Sequence, residues 1–85
     1  MIEIVLIGAV RKSLGMDENQ YELDTDGPIS VREALSCTGL DLEKLNPDRI
    51  LVLQEGTSCS LSRALDTIML RSGEKITLIN MIQGG

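Results

Sequence analysis

The chain is expected to fold as an α+β domain: a mixed four- to five-stranded sheet with one main helix packed on one face. Three observations predict this. Short β-rich aliphatic runs open and close the sequence, at "IEIVLIG" and "KITLIN". One segment between them, "ISVREALSCTG", has helical spacing and both end signals. The length, 85 residues, gives one small domain whose core is only just adequate. That core must be aliphatic, because Tyr21 is the only aromatic residue.

The elements follow in order. In Ile2–Gly8, Ile2, Ile4 and Leu6 share one face and Glu3, Val5 and Ile7 the other. "AVRKSLGMDENQ" reads as a loop that can hold a helical turn, leading to a second strand. Gln20–Asp26 alternates polar and apolar, with Tyr21 and Leu23 inward, and Asp26-Gly27-Pro28 breaks it. Ser30 is the expected N-cap of the helix, and Glu33 completes a capping box. Ile29 and Ala34 occupy the hydrophobic-staple positions, and Val31, Ala34, Leu35 and Thr38 form the buried face. Gly39 is placed to end it. "LDLEKLNPD" adds a further helical turn before Asn46-Pro47. Arg49–Gly56 is a third strand, ending in a turn. "TSCSLSRALDTIML" is the least readable stretch; Ser62–Asp66 suits one short helical turn, and Ser58, Ser60 and Ser62 suit an exposed edge. A turn at Ser72-Gly73-Glu74 precedes the last strand, Lys75–Asn80, with Ile76 and Leu78 inward and Thr77 and Ile79 outward. The domain is assigned to residues 1–80, with 81–85 as a flexible tail.

Composition excludes several function classes. A formal net charge of −5 argues against nucleic-acid binding, which needs a basic stripe. It suits a basic protein partner, or solubility alone. No apolar run approaches the roughly 20 residues that span a membrane. The start, Met1-Ile2-Glu3-Ile4, lacks the basic region of a signal peptide. Cys37 and Cys59 allow one disulfide, but nothing signals secretion, so reduced thiols in a cytoplasmic chain are expected. With no histidine and no Cys-x-x-Cys pair, no metal site is expected. The carboxylates are scattered, a serine nucleophile would lack a base, and no phosphate-binding glycine motif occurs. No catalytic machinery is visible, and no bound cofactor is expected.

Two features remain. Val5, Ile7 and Ile79 would share the sheet face away from the helix if the first and last strands are neighbours. That is an apolar patch where a lone monomer should be polar. The sequence also ends in "NMIQGG". Gly84 and Gly85 lack side chains and would thread a channel too narrow for a Cβ. The α-carboxylate of Gly85 is then the distinctive reactive group, and it must be activated by another protein. An incidental frayed end is the alternative.

On these residues the chain resembles the ubiquitin-like sulfur carriers of the MoaD/ThiS type. "MIEIVLIGAVRKSLG" is similar to the opening of the molybdopterin synthase small subunit, "ISVREAL" to the family's helix start, and "LRSGEKITLINMIQGG" to its closing block. The resemblance implies a ubiquitin-like β-grasp with the first and last strands parallel. It implies that an E1-like adenylyltransferase uses ATP to adenylate Gly85, and that a cysteine desulfurase or rhodanese-like donor converts it to a thiocarboxylate. A synthase large subunit or other acceptor enzyme would then take the sulfur. Gly85 would bear the sulfur and Gly84 keep the tail slim, while Val5, Ile7, Ile79, Met81 and Ile82 would meet partners. Asn80-Met81 stands where many molybdopterin-type carriers have Pro-Pro, so molybdopterin, thiamin and other sulfur-containing products all stay open. So do two other roles: a ubiquitin-like modifier joined to lysines, and a β-grasp interaction module without tail chemistry.

Overall fold

Alternation of aliphatic side chains sets the first strand. In β1 (Ile2–Ile7), Ile2, Ile4 and Leu6 are buried, whereas Val5 is half-buried and Ile7 exposed. The structure, a computed structural model, describes residues 1–13 and 15–80. A short helix α1 (Ala9–Ser13) follows, within the segment the sequence reads as a loop with a helical turn. Its buried Val10 joins the core. The second strand, β2 (Gln20–Leu23), pairs antiparallel with β1, setting Ile4 opposite Tyr21 and Ile2 opposite Leu23.

The predicted helix is present as α2 (Val31–Cys37), with Val31, Ala34 and Leu35 buried. Ser30 has extended backbone angles, and its Oγ accepts from the Glu33 N–H at 3.1 Å, satisfying one of the orphan donors at the helix start. At the other end, the Thr38 N–H bonds to Leu35 O and the Gly39 N–H to Ser36 O. Gly39 then turns the chain out of the helix at φ +84°, a left-handed conformation that costs a Cβ-bearing residue about 1–2 kcal/mol.

Two 3-10 turns, Leu42–Lys44 and Pro47–Arg49, are capped by Asp41 and Asn46 and lead into the strand that starts at Ile50. To name the strands in order, β3 is Ile29–Ser30, β4 Ile50–Gln54, β5 Thr57–Ser60, β6 Met69–Leu70 and β7 Lys75–Asn80. Between β5 and β6 lies α3 (Leu61–Thr67), which buries Leu61, Ala64 and Leu65. The sheet order is β2-β1-β7-β4-β5, with β1 and β7 parallel and the other neighbours antiparallel. β3 and β6 form a separate two-stranded ribbon, Ile29 opposite Leu70.

One aliphatic core lies between the sheet and the helices. Ile2, Ile4, Ile76, Leu78 and Val52 enter it from the strands, and α2 and α3 supply their buried residues from above. No polar side chain is buried among the described residues. Across the solvent side of the helix layer, the Arg32 guanidinium donates two bonds to the Asp66 carboxylate, at 2.9 and 2.8 Å, and so links α2 to α3.

The sequence reading differs from the structure in four places. The second strand stops at Leu23 rather than Asp26. The third spans Ile50–Gln54 within the expected 49–56. In place of one main helix there are two of equal length, α2 and α3. The stretch that was hard to read holds a hairpin strand, α3 and β6. α3 is as short as α2 but lacks the capping box and the closing glycine that mark α2 in the sequence, and β6, at two residues, is a single strand period, too short for a periodic signal.

Candidate functional site

The candidate site is the sheet face turned away from α2 and α3. Because side chains alternate, every strand that sends Ile or Leu into the core sends its intervening residues to this face. The register then decides who meets whom. Ile7 lies opposite Ile79, and Ile79 opposite Leu51, giving one apolar row across β1, β7 and β4. Val5, Thr77 and Leu53 form the next row. Val5, Ile79 and Leu51 are half-buried, while Ile7 is 44% exposed and Leu53 37%. Those two exposures lie in the range of surface side chains, yet both residues are large aliphatics side by side on one face. Covering what each still shows to water is worth on the order of 1 kcal/mol by area.

Polar residues border the apolar rows. Gln20 pairs with Val5 on one side, and Ser58 and Ser60 pair with Leu53 and Leu51 on the other. Further along, Glu3 stands between Glu22 and Lys75. The Gln20 side-chain amide donates to Glu3 Oε2 at 2.7 Å.

The structure brings together Val5, Ile7 and Ile79 of the residues singled out in the sequence. Asn80, the last described residue, pairs with Ile50 and stands at the same end of the sheet as Ile7 and Ile79. Met81, Ile82, Gly84 and Gly85 lie outside the described residues. Sequence reasoning missed Leu51 and Leu53. The signal was available: once Ile50 and Val52 point inward, the residues between and after them must point out.

Other chemistry is sparse. Among the described residues, no group of three His, Cys, Asp or Glu side chains is placed to hold a metal ion. Ser60 is the N-cap of α3, its Oγ accepting from the Arg63 N–H at 3.4 Å and lying 3.1 Å from Ser62 Oγ, so its role is structural. Cys37 is exposed at the end of α2, and Cys59 is half-buried on β5; neither is bonded to the other. No helix among the described residues is long and apolar enough to cross a membrane.

No protein-family model matches the sequence, and no curated protein matches it. Solved structures do. The crystal structure of SAMP1 from Haloferax volcanii superposes with a TM-score of 0.65 at 21% identity, covering 99% of this chain and 98% of that one. A second, the crystal structure of H. volcanii small archaeal modifier protein 1, gives 0.63 at 19%, covering 95% and 97%. The likeness runs end to end. The fold is a ubiquitin-like β-grasp. At this level of identity the likeness carries the fold, which is also the fold that the sequence resemblance implied. Within the β-grasp, the apolar rows lie on the sheet face that the helices leave open, at the end where the last strand finishes.

Proposed function

We propose that this protein is a ubiquitin-like acyl carrier: a handle that presents the carboxylate of Gly85 to the active sites of other proteins. The observation that carries this reading is the apolar row Ile7–Ile79–Leu51, set at the end of the sheet where Asn80 finishes the last strand. Gly84-Gly85 follows Asn80 by only a few residues in the sequence. A face that grips a partner beside the exit of a slim segment delivers that segment to the partner's pocket. Val5 and Leu53 widen the grip, and Met81 and Ile82 extend it along the segment.

The chemistry follows from the group presented. A carboxylate is a poor acyl donor, because its leaving group would be oxide. An E1-like enzyme removes that obstacle by joining the carboxylate to the α-phosphorus of ATP, releasing pyrophosphate and leaving an acyl-adenylate. A persulfide donor of the cysteine desulfurase or rhodanese type then attacks the acyl carbon, and AMP departs. A second thiol cleaves the acyl disulfide, leaving a thiocarboxylate on Gly85 and a disulfide on the donor. That sulfur passes to a precursor held by an acceptor enzyme such as a synthase large subunit, with molybdopterin the first choice of product and thiamin or another sulfur-containing metabolite the others. The chain itself needs no bound cofactor, and ATP is the activating enzyme's substrate. The setting is the cytoplasm, where such enzymes and ATP meet.

A second reading shares the activation step. The two similar solved structures carry the name modifier. In that role a lysine ε-amine of a target attacks the activated Gly85 carbonyl and forms an isopeptide bond. Intact-mass analysis after incubation with ATP, an E1-like enzyme and a sulfide source separates the readings. Exchange of oxygen for sulfur on the C-terminal peptide supports the carrier, and an isopeptide bond from Gly85 to cellular lysines, left by trypsin as residues 76–85 because Lys75 is the last cleavage site, supports the modifier. Removal of Gly85 abolishes both. If a chain without Gly85 keeps its cellular function, the protein is an interaction module and the proposal fails.

A further inference from the structure

The open sheet face is not uniform along the strands. Its apolar rows lie toward Asn80, and the opposite end is anionic. Glu3 and Glu22 are direct partners across β1 and β2. The Leu6 N–H bonds to Asn19 O at 2.8 Å, which makes Leu6 and Asn19 a hydrogen-bonded position of the ladder. Counting back, Glu3 and Glu22 fall at a position of the other kind, where opposed side chains come closest. Like charges so placed repel.

Among the described residues no cation lies within ion-pair distance of either carboxylate, and Lys75, the register partner of Glu3 on β7, is the one cation beside them. The only ion pair there joins Arg32 to Asp66 on the helix side. The N-terminal ammonium is held by Ser72 Oγ at 3.0 Å. Glu3 receives one neutral bond, from Gln20. Beside this row, Glu55, Glu74 and Lys75 line a cleft of about 500 Å³ that runs up to Leu53 and Thr77, with the Glu74 carboxylate accepting from the Arg71 N–H and the Gln54 amide.

We propose that the open face binds a protein surface of one chemical kind: aliphatic side chains followed by arginine or lysine, with the cations over Glu3 and Glu22 and in the adjoining cleft. The inference deepens the docking role argued above and rests on it only in taking this face as a partner surface. A second copy of the chain is a poor occupant. On the described face it would bring one cation, Lys75, against Glu3, Glu22 and Glu55. The net charge of −5 also favours encounter with a basic surface.

The test titrates the labelled protein with two synthetic peptides, one alternating leucine with arginine and one alternating leucine with glutamate, and follows backbone amide shifts. The arginine peptide is expected to move the amides of Glu3, Val5, Leu53 and Thr77. It should bind at least roughly fivefold more tightly than the glutamate peptide, the discrimination two exposed charge pairs supply. The double variant Glu3→Gln/Glu22→Gln should erase most of that difference. Equal affinity for the two peptides, absence of binding, shifts confined to other faces, or self-association through this face would each overturn the proposal. The titration does not involve Gly85, so a chain that binds the arginine peptide but never forms an acyl-adenylate would fail the carrier reading and keep this one.

Discussion

Ile7 and Ile79 are register partners across the parallel ladder of β1 and β7, and both point away from the helix layer. They are far apart in sequence and adjacent in space. The strands that hold them also fill the core through Leu6 and Leu78, so the pair is mounted on strands whose opposite face is buried.

This mounting separates function from stability. Ile7→Asp should cost about 1–2 kcal/mol of folding free energy, from the part of the side chain already covered and the poor strand preference of Asp. Formation of the Gly85 acyl-adenylate by the E1-like enzyme should fall at least tenfold, mainly through KM, if the row is the grip. Urea unfolding and pyrophosphate-release kinetics on the same preparation check both halves.

The inward neighbour behaves oppositely. Leu78 is fully buried, and Leu78→Ala should cost about 2–5 kcal/mol, the transfer term plus the cavity. Leu53→Ala, on the open face of β4, should cost under about 1 kcal/mol. A fall in the urea midpoint of the first variant with little change in the second is the expected result.

Arg32 and Asp66 give a pH signature. Bonding from the guanidinium holds the Asp66 carboxyl below its ordinary value of 3.8. A depressed folded-state value means stability present above about pH 3.8 and lost as pH falls through the lower folded value. Both side chains are well exposed, so the effect is small and screened by salt. Carboxyl titration by NMR should show Asp66 moving up toward 3.8 in Arg32→Ala.

Gly27 tests a close backbone approach. Its φ is +68°, and a Cβ there would collide with the carbonyl oxygen of Leu70 in β6. Gly39 has a similar φ with open space around it. Gly39→Ala should therefore cost about 1–2 kcal/mol from backbone conformation alone. Gly27→Ala should cost more, because the backbone of β6 must shift as well. Paired thermal melts of the two variants give the comparison.

The sequence by itself determined the local features whose causes lie within a few residues. Ser30 and Gly39 bound the helix because a hydroxyl satisfies an orphan N–H and a missing Cβ permits a left-handed exit. Ile2, Ile4 and Leu6, like Ile76 and Leu78, face inward because alternation follows from strand geometry. Tertiary structure decided the rest. Pairing of β7 with both β1 and β4 closes most of the chain into a loop, and no local propensity specifies it. Only that pairing sets Leu51 and Leu53 beside Ile7 and Ile79 and leaves Glu3 facing Glu22. A surface assembled from five strands has no contiguous sequence signature, because its neighbours are chosen by the burial of the opposite face.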